Sequence, residues 1–168
     1  MPWPEEVRLL FSIGDRVVYP MHGAGIIEAI EEREILGHRK QYYIMKMPIG
    51  DMKVMIPVDG VDGVGLRQVI PHDDMGRVLE VLAGERTKMS ANWNRRYRAN
   101  AEKLKSGNIF EVAEVVRNLT LREKEKGLST GERKMLENAR QILISEVVLA
   151  SNIAEAEAHT LLDHAMGQ

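Results

Sequence analysis

The chain has 168 residues, 44% of them hydrophobic and 29% charged, a composition that excludes a disordered chain and a membrane protein. It has no cysteine, which excludes disulfides, thiolate nucleophiles and cysteine-ligated metals. Its formal net charge of −2, taken as an average, argues against a nucleic-acid binder.

The start of the chain, MPWPEEVRLLF, lacks the basic residues and the apolar stretch of a secretory signal. No segment approaches the roughly 18 apolar residues that are needed to span a bilayer. We therefore expect a cytoplasmic protein.

Residues 11–70 are interrupted about every 8–12 residues by Gly, Pro or Asp turn signals, a spacing typical of short antiparallel strands. Strands are predicted at 17–19, 26–35, 42–47, 52–56 and 66–70, with a turn at 36–38. In the fourth strand, alternation places Met52, Val54 and Ile56 on one face. Lys53 and Met55 are expected on the other face. Five strands of this length favour a small antiparallel barrel or curled sheet.

From Asp73 onward the apolar residues recur with a helical period. Helix starts are predicted at Asp73–Asp74, Asn92, Asn108, Ser129 (with Glu132 as a capping box) and Ser151 or Asn152, and helix ends at Gly84, Gly107 and Gly127. The predicted inward stripes include Met75, Val78, Leu79 and Leu82 in the first helix and Val112, Val115, Val116 and Leu119 in the third. Those of the last two helices include Met135, Leu136, Ala139, Ile142 and Leu143, then Leu161, Leu162 and Ala165.

The chain is thus predicted to have a β domain followed by an all-α bundle of about five helices. The expected boundaries are an N-terminal extension at 1–10, a β domain at 11–61, a linker at 62–71 and a helical domain at 72–168. Glycines and a proline make 59–71 the natural hinge.

No motif for catalysis, nucleotide binding or metal binding is present. His159 and His164 are five residues apart, about 140° around a helix, so they do not share a face as a metal pair would. We therefore expect a protein that is not an enzyme and has no metal and no cofactor.

Positive charge is concentrated in one stretch of the helical domain. Between residues 86 and 105 the basic side chains are Arg86, Lys88, Arg95, Arg96, Arg98, Lys103 and Lys105, against the single acid Glu102. The near-neutral total therefore hides a local basic patch.

Trp93 begins the helix within this patch, between Asn92 and Asn94. Two interpretations are open: the ring is exposed and wedges between bases while neighbouring arginines bind phosphates, or it packs inward as a hydrophobic staple. The flanking asparagines slightly favour exposure.

The ordered blocks of the chain resemble the CarD/CdnL family of bacterial transcription regulators that bind RNA polymerase. The blocks are FSIGDRVVYPMHGAGIIEAIEEREILG, YYIMKMPIGDMKVMIPV, VGLRQVI, NWNRRYRANAEKLKSGN, AEVVRNL and GLSTGERKMLENARQIL. The resemblance implies a Tudor-like (SH3-like) β-barrel that docks on the polymerase β subunit. It also implies a helical domain that contacts promoter DNA at the upstream edge of the transcription bubble.

Carried onto this chain, the resemblance makes Trp93 a minor-groove wedge that stabilises the open complex. The expected DNA contacts around it are Arg95, Arg96 and Arg98, with Lys88 and Asn92 beside them. The resemblance places the polymerase contact at Arg33 and at the edge from Lys53 to Ile56. Strand addition is the expected mode of that contact.

Two features depart from the family pattern. Met55 stands where some relatives have an arginine, which puts that polar contact in doubt. The extension at 1–10, with Trp3, precedes the barrel, and we expect it to be a disordered tail. We expect a monomeric global regulator, recruited to promoters by polymerase and so associated with the nucleoid. The alternative is a protein–protein adaptor whose helical domain binds a second protein.

Overall fold

The N-terminal part of the chain folds into one antiparallel sheet, in a computed structural model that describes residues 10–60 and 65–167. Its strands, in the spatial order β4-β3-β2-β1-β5, are β1 (Arg16–Tyr19), β2 (Gly23–Ile35), β3 (His38–Lys46), β4 (Lys53–Pro57) and β5 (Arg67–Gln68). This confirms the predicted antiparallel β domain. Residues 67 and 68 of the predicted linker form β5, while nearly all of the extension at 1–10 and residues 62–64 of the linker lie outside the described residues.

The two faces of the sheet have different roles because successive side chains of a strand point to opposite sides. The inner face carries the core of the β domain, which consists of Val17, Ile27, Tyr43, Met45, Met47, Ile56, Val58 and Leu66. On the outer face, Val18 and Ala24 pack against Leu149 of the helical domain. The outer face is therefore partly covered by a helix.

Strands β2 and β3 form a long hairpin around the predicted turn at 36–38. Leu36 and Gly37 have φ values of 53° and 80°, as a tight two-residue turn requires. Strand β3 starts at His38, four residues before its predicted start. The polar residues 38–41 extend the strand because they pair with residues 32–35 of β2. Met52, the first residue of the predicted fourth strand, lies just before β4 and is exposed, so β4 begins one residue later than predicted.

The C-terminal part contains five helices, as predicted: α1 (Met75–Ala83), α2 (Trp93–Lys105), α3 (Ile109–Lys126), α4 (Thr130–Ser151) and α5 (Glu155–Ala165). Their buried core contains Val78, Leu82, Val115, Leu119 and Leu143, which lie on the predicted apolar stripes. The fifth helix begins at Glu155 rather than at 151 or 152. Asn152 instead ends α4 in the left-handed conformation, with a φ of 53°.

The two domains are joined by a polar contact beside the apolar one. The guanidinium of Arg67 donates two 2.7 Å hydrogen bonds to the carboxylate of Glu146 on α4, and it also donates to the Gly107 carbonyl at 2.9 and 2.7 Å. The backbone N–H of Ile70 donates to the same carboxylate at 3.0 Å. Arg67 and Ile70, in the described part of the predicted hinge, therefore bind the helical domain through hydrogen bonds.

Candidate functional site

Trp93 is the first residue of α2 and is 41% exposed. Its ring stacks on Tyr97, with ring centroids 5.0 Å apart and an interplanar angle of 17°. Its indole N–H donates a 2.8 Å hydrogen bond to the hydroxyl of Ser129. The ring therefore combines the two interpretations, since one side packs on the protein while much of the side chain faces solvent.

Arg96 is buried, in contrast to its predicted role as a phosphate contact. Its side chain is 4% exposed and forms a bidentate ion pair with Glu132. Nε donates to Oε2 of the carboxylate at 2.7 Å and Nη2 donates to Oε1 at 3.0 Å. The hydrogen bond between them lowers the pKa of Glu132 and raises that of Arg96, so both groups are charged at neutral pH. Arg96 is thus occupied inside the protein and is not available to DNA.

Ion pairs also neutralise other cations of the basic stretch. Arg86 pairs with Glu125 at 2.5 Å and Lys103 with Glu114 at 3.2 Å. Lys105 lies 4.0 Å from Glu102. In the part of the chain that the structure describes, the exposed cations of this stretch without an ion-pair partner are Lys88, Arg95 and Arg98.

The two free arginines lie on a different side of α2 from the tryptophan. With 3.6 residues per turn, Arg95 and Arg98 are about 200° and 140° around the helix from Trp93. Arg96 is on the same buried side as Asn100 and Leu104, at spacings of four and eight residues. Local helical spacing alone could therefore have indicated that Arg96 points inward.

Asn92 caps α2, and its amide side chain is thereby engaged. The side-chain oxygen of Asn92 accepts a 3.0 Å hydrogen bond from the backbone N–H of Arg95. Such a cap satisfies one of the free N–H groups at a helix start. Asn92 therefore marks the start of the helix, as predicted, and its side-chain oxygen is used in the cap beside Trp93.

Strand β4 lies at one border of the sheet and β5 at the other. Among the described residues, β4 has a ladder partner only on its β3 side. At the other border, the side chain of Arg67 in β5 donates hydrogen bonds to the helical domain. Of these two border strands, β4 therefore has the longer unpaired edge, five residues against two, for pairing with another chain.

The residues predicted for the polymerase contact divide between the two faces of the sheet. Ile56 is fully buried on the inner face, so only its backbone can take part in pairing at the edge. Lys53 and Met55 are exposed on the outer face of the same strand. Arg33 also faces outward, but it lies on β2, with β3 between it and β4.

Arg33 is separated from β4 along the strands as well. Ile56 is in register with Tyr43, which is in register with Ile30. Arg33 lies three residues beyond Ile30, about 10 Å farther along the strand. The structure therefore places Arg33 near the hairpin end of the outer face and does not bring it to the edge.

Both outer-face cations have acidic neighbours. Lys53 lies 2.6 Å from Glu28, whose hydrogen bond and charge raise the pKa of the lysine. The guanidinium of Arg33 is paired with Glu31. This surface is thus a mixed, solvated set of charges that also includes the exposed apolar side chain of Met55.

Within residues 10–60 and 65–167, no three His, Asp or Glu side chains come together as a metal site would require. No helix in the same ranges is both long and apolar enough to cross a lipid bilayer.

Two family models match the chain, one for each part of the fold. The model "CarD-like/TRCF RID domain" matches residues 11–70, and the model "CarD, C-terminal domain" matches residues 77–163. The Bacillus subtilis (strain 168) protein named "Putative transcription factor YdeB" is 43% identical over 148 residues, covering 88% of this chain and 97% of that protein. The similarity thus extends across both domains.

Proposed function

This chain belongs to the CarD family of transcription regulators, and on that premise we propose that it binds the RNA polymerase β subunit through its β domain and stabilises the promoter open complex through its helical domain. The observation that carries the proposal is the placement of Trp93. The ring is anchored on one side, half-exposed at the start of a helix, and is followed by two arginines without ion-pair partners.

On the DNA side, Trp93 acts as a wedge in the minor groove at the upstream edge of the bubble. An aromatic ring can enter a base step that is already unstacked, and insertion into intact duplex carries an additional unstacking cost. The ring therefore binds the melted DNA of the open complex more tightly than the closed duplex, which shifts the population toward the open state. Little base readout is expected, because the minor groove shows mainly A·T against G·C.

The phosphate contacts in this proposal come from Lys88, Arg95 and Arg98. Three such contacts give a slope of about −3 for the logarithm of affinity against the logarithm of salt concentration. This is a weak, strongly salt-dependent interaction on a chain of net charge −2. Binding to promoters then requires tethering by polymerase, which raises the local concentration of the patch.

On the polymerase side, the edge of β4 pairs with a strand of the β subunit. Strand addition uses backbone groups for affinity and alternate side chains for specificity. Lys53 and Met55 supply those side chains on the outer face. The match of residues 11–70 to a domain shared by CarD-like proteins and TRCF supports polymerase as the partner.

In this proposal the protein is a non-enzymatic monomer in the cytoplasm, and polymerase carries it to the nucleoid. The alternative is an adaptor whose helical domain binds a second protein. The two differ in how the helical domain responds to salt and to DNA.

A salt titration of binding to a forked promoter fragment, with and without polymerase, distinguishes them. The proposal predicts weak binding of the free protein and tighter binding with polymerase. In the variant R95A/R98A, the salt slope is expected to be smaller in magnitude by about 2. Lys105→Ala is the matched control, a cation at the other end of α2, and it is expected to leave the slope unchanged. Equal slopes for the wild type and R95A/R98A would favour the adaptor.

Hydrogen–deuterium exchange tests the polymerase contact separately. Addition of the polymerase β subunit is expected to slow exchange of the β4 amides, while β5 amides serve as the internal reference. Unchanged exchange in β4 with bound β subunit would rule out strand addition at this edge.

A further inference from the structure

Trp93 is held by its polar atom as well as by its ring. The indole N–H donates to the Ser129 hydroxyl at 2.8 Å, across the gap between α2 and the start of α4. The ring also lies against Gly131, where an added Cβ would be 3.5 Å from Cζ2 of Trp93. Stacking on Tyr97 supports the ring from within α2. These three contacts restrain both the position and the rotation of the indole.

The hydroxyl that receives the indole N–H is itself fixed. Ser129 accepts a 3.2 Å hydrogen bond from the backbone N–H of Glu132 and donates one of 3.2 Å to Oε1 of the same residue. With the indole as a second donor, the hydroxyl uses its one proton and both lone pairs. Its orientation is therefore determined by its partners.

The Glu132 carboxylate is in turn anchored by Arg96. The ion pair is 4% and 2% exposed, and the third nitrogen of the guanidinium donates to the carbonyl oxygens of Ser90 and Ala91 at 3.1 and 3.3 Å. One polar chain thus runs from the loop before α2, through the first turn of α4, to Trp93.

We propose that Ser129 is a positioning residue for Trp93, and that its hydroxyl, oriented by the Arg96–Glu132 pair, fixes the indole in the orientation presented to DNA. This inference rests on the proposed wedge function of Trp93. An exposed aromatic side chain that is free to rotate must be ordered on insertion. Ordering it in advance changes the insertion equilibrium by roughly two- to tenfold.

A purely structural role for Ser129 is the competing explanation, because it is also the N-cap of α4. Substitution of an N-cap serine by glycine costs little helix stability, whereas it removes the hydroxyl completely. Ser129→Gly is therefore the test variant. Ser129→Thr keeps the hydroxyl, and Asn108→Gly removes the corresponding cap of α3 without touching Trp93.

The experiment measures two quantities on the full chain. The first is solvent exchange of the Trp93 indole N–H by NMR in the free protein, with Trp3→Phe used to assign the two indole signals. The second is the lifetime of the polymerase–promoter open complex with each variant bound. Ser129→Gly is expected to speed indole exchange by about fivefold and to shorten the lifetime by roughly two- to tenfold. Ser129→Thr is expected to restore both, and Asn108→Gly to change neither.

Each result decides between specific explanations. If Ser129→Gly leaves the lifetime at the wild-type value while Trp93→Ala shortens it, the positioning role is overturned and the wedge stands. If Asn108→Gly shortens the lifetime as much as Ser129→Gly, loss of a cap explains the effect and the inference is overturned. If Trp93→Ala itself has no effect, the proposed function fails, and the role of Ser129 in it fails as well.

Discussion

The contact between Arg67 and Glu146 gives a quantitative prediction about how the two domains are joined. Glu146 is 3% exposed, and its carboxylate accepts two hydrogen bonds from Arg67 and one from the N–H of Ile70. The variant Arg67→Met removes two of these three donors while keeping an apolar stem in place. A nearly buried carboxylate is then left with one backbone partner.

Breaking a buried ion pair by removing one member costs about 3–5 kcal/mol in unfolding free energy. The Arg67 side chain is 30% exposed, so water can replace part of the lost interaction. We therefore expect a loss of about 2–3 kcal/mol for Arg67→Met. The double variant R67M/E146L is expected to be more stable than the sum of the two single losses predicts, because no unpaired charge remains.

Urea unfolding at pH 7, followed by circular dichroism, measures these differences. The matched control is Arg39→Met, which removes an exposed cation 3.8 Å from Glu34 and is expected to cost less than about 1 kcal/mol. A loss for Arg67→Met no larger than that for Arg39→Met, or simple addition of the two losses in the double variant, would show that Arg67 and Glu146 do not form a stabilising pair.

Three further predictions concern the wedge region and the domain contact. Glu132→Gln is expected to lower the unfolding free energy by about 2 kcal/mol at pH 7. Because the pKa of Glu132 is lowered, this difference is fully present well above the ordinary glutamate pKa and shrinks as the pH falls through and below it, which urea titrations from pH 7 to 3 would show. R95E/R98E is expected to weaken polymerase-tethered DNA binding in a fluorescence anisotropy assay while leaving the circular dichroism spectrum unchanged, and an equal effect of Lys105→Glu would contradict this. Gly23→Ala is expected to lower the unfolding free energy by about 1–3 kcal/mol, because φ is 110° there and the added Cβ would lie 2.7 Å from a hydroxyl oxygen of α4; an unchanged urea midpoint would be incompatible with that packing.

Features that depend on neighbours in the sequence could be predicted well. Asn92, Asn108 and Ser129 each cap the helix whose start they were expected to mark. A cap is a hydrogen bond to a backbone N–H two or three residues away, so its signal lies within one turn of sequence. The turn signals that separated the predicted strands are local in the same way.

Features that depend on pairing across the fold could not be predicted. Glu132 was expected to complete a capping box with Ser129, yet its carboxylate binds Arg96 from another helix. The two partners are 36 residues apart, and no local pattern joins them. The hydrogen bonds from Arg67 to Glu146 on α4 were not predicted either, because the nearby glycines indicated a hinge.

The number of free cations between residues 86 and 105 could not be predicted from the sequence. Six net positive charges in the sequence are reduced by ion pairs formed by Arg86, Arg96 and Lys103, among others. Such pairs involve residues of α3 and α4 that are distant in sequence. The smaller number of free cations is consistent with the proposed recruitment to DNA by polymerase.

The proposed wedge is tested by the lifetime of the polymerase–promoter open complex with Trp93→Ala bound. Stacking of one base on an aromatic ring contributes about 1–3 kcal/mol, so we expect a lifetime shortened at least about fivefold with polymerase binding unchanged. Leu36→Ala, which removes a side chain that is 94% exposed at the β2–β3 turn, is the control and is expected to leave the lifetime unaltered. A folded, polymerase-bound Trp93→Ala protein that gives the wild-type lifetime would contradict the account.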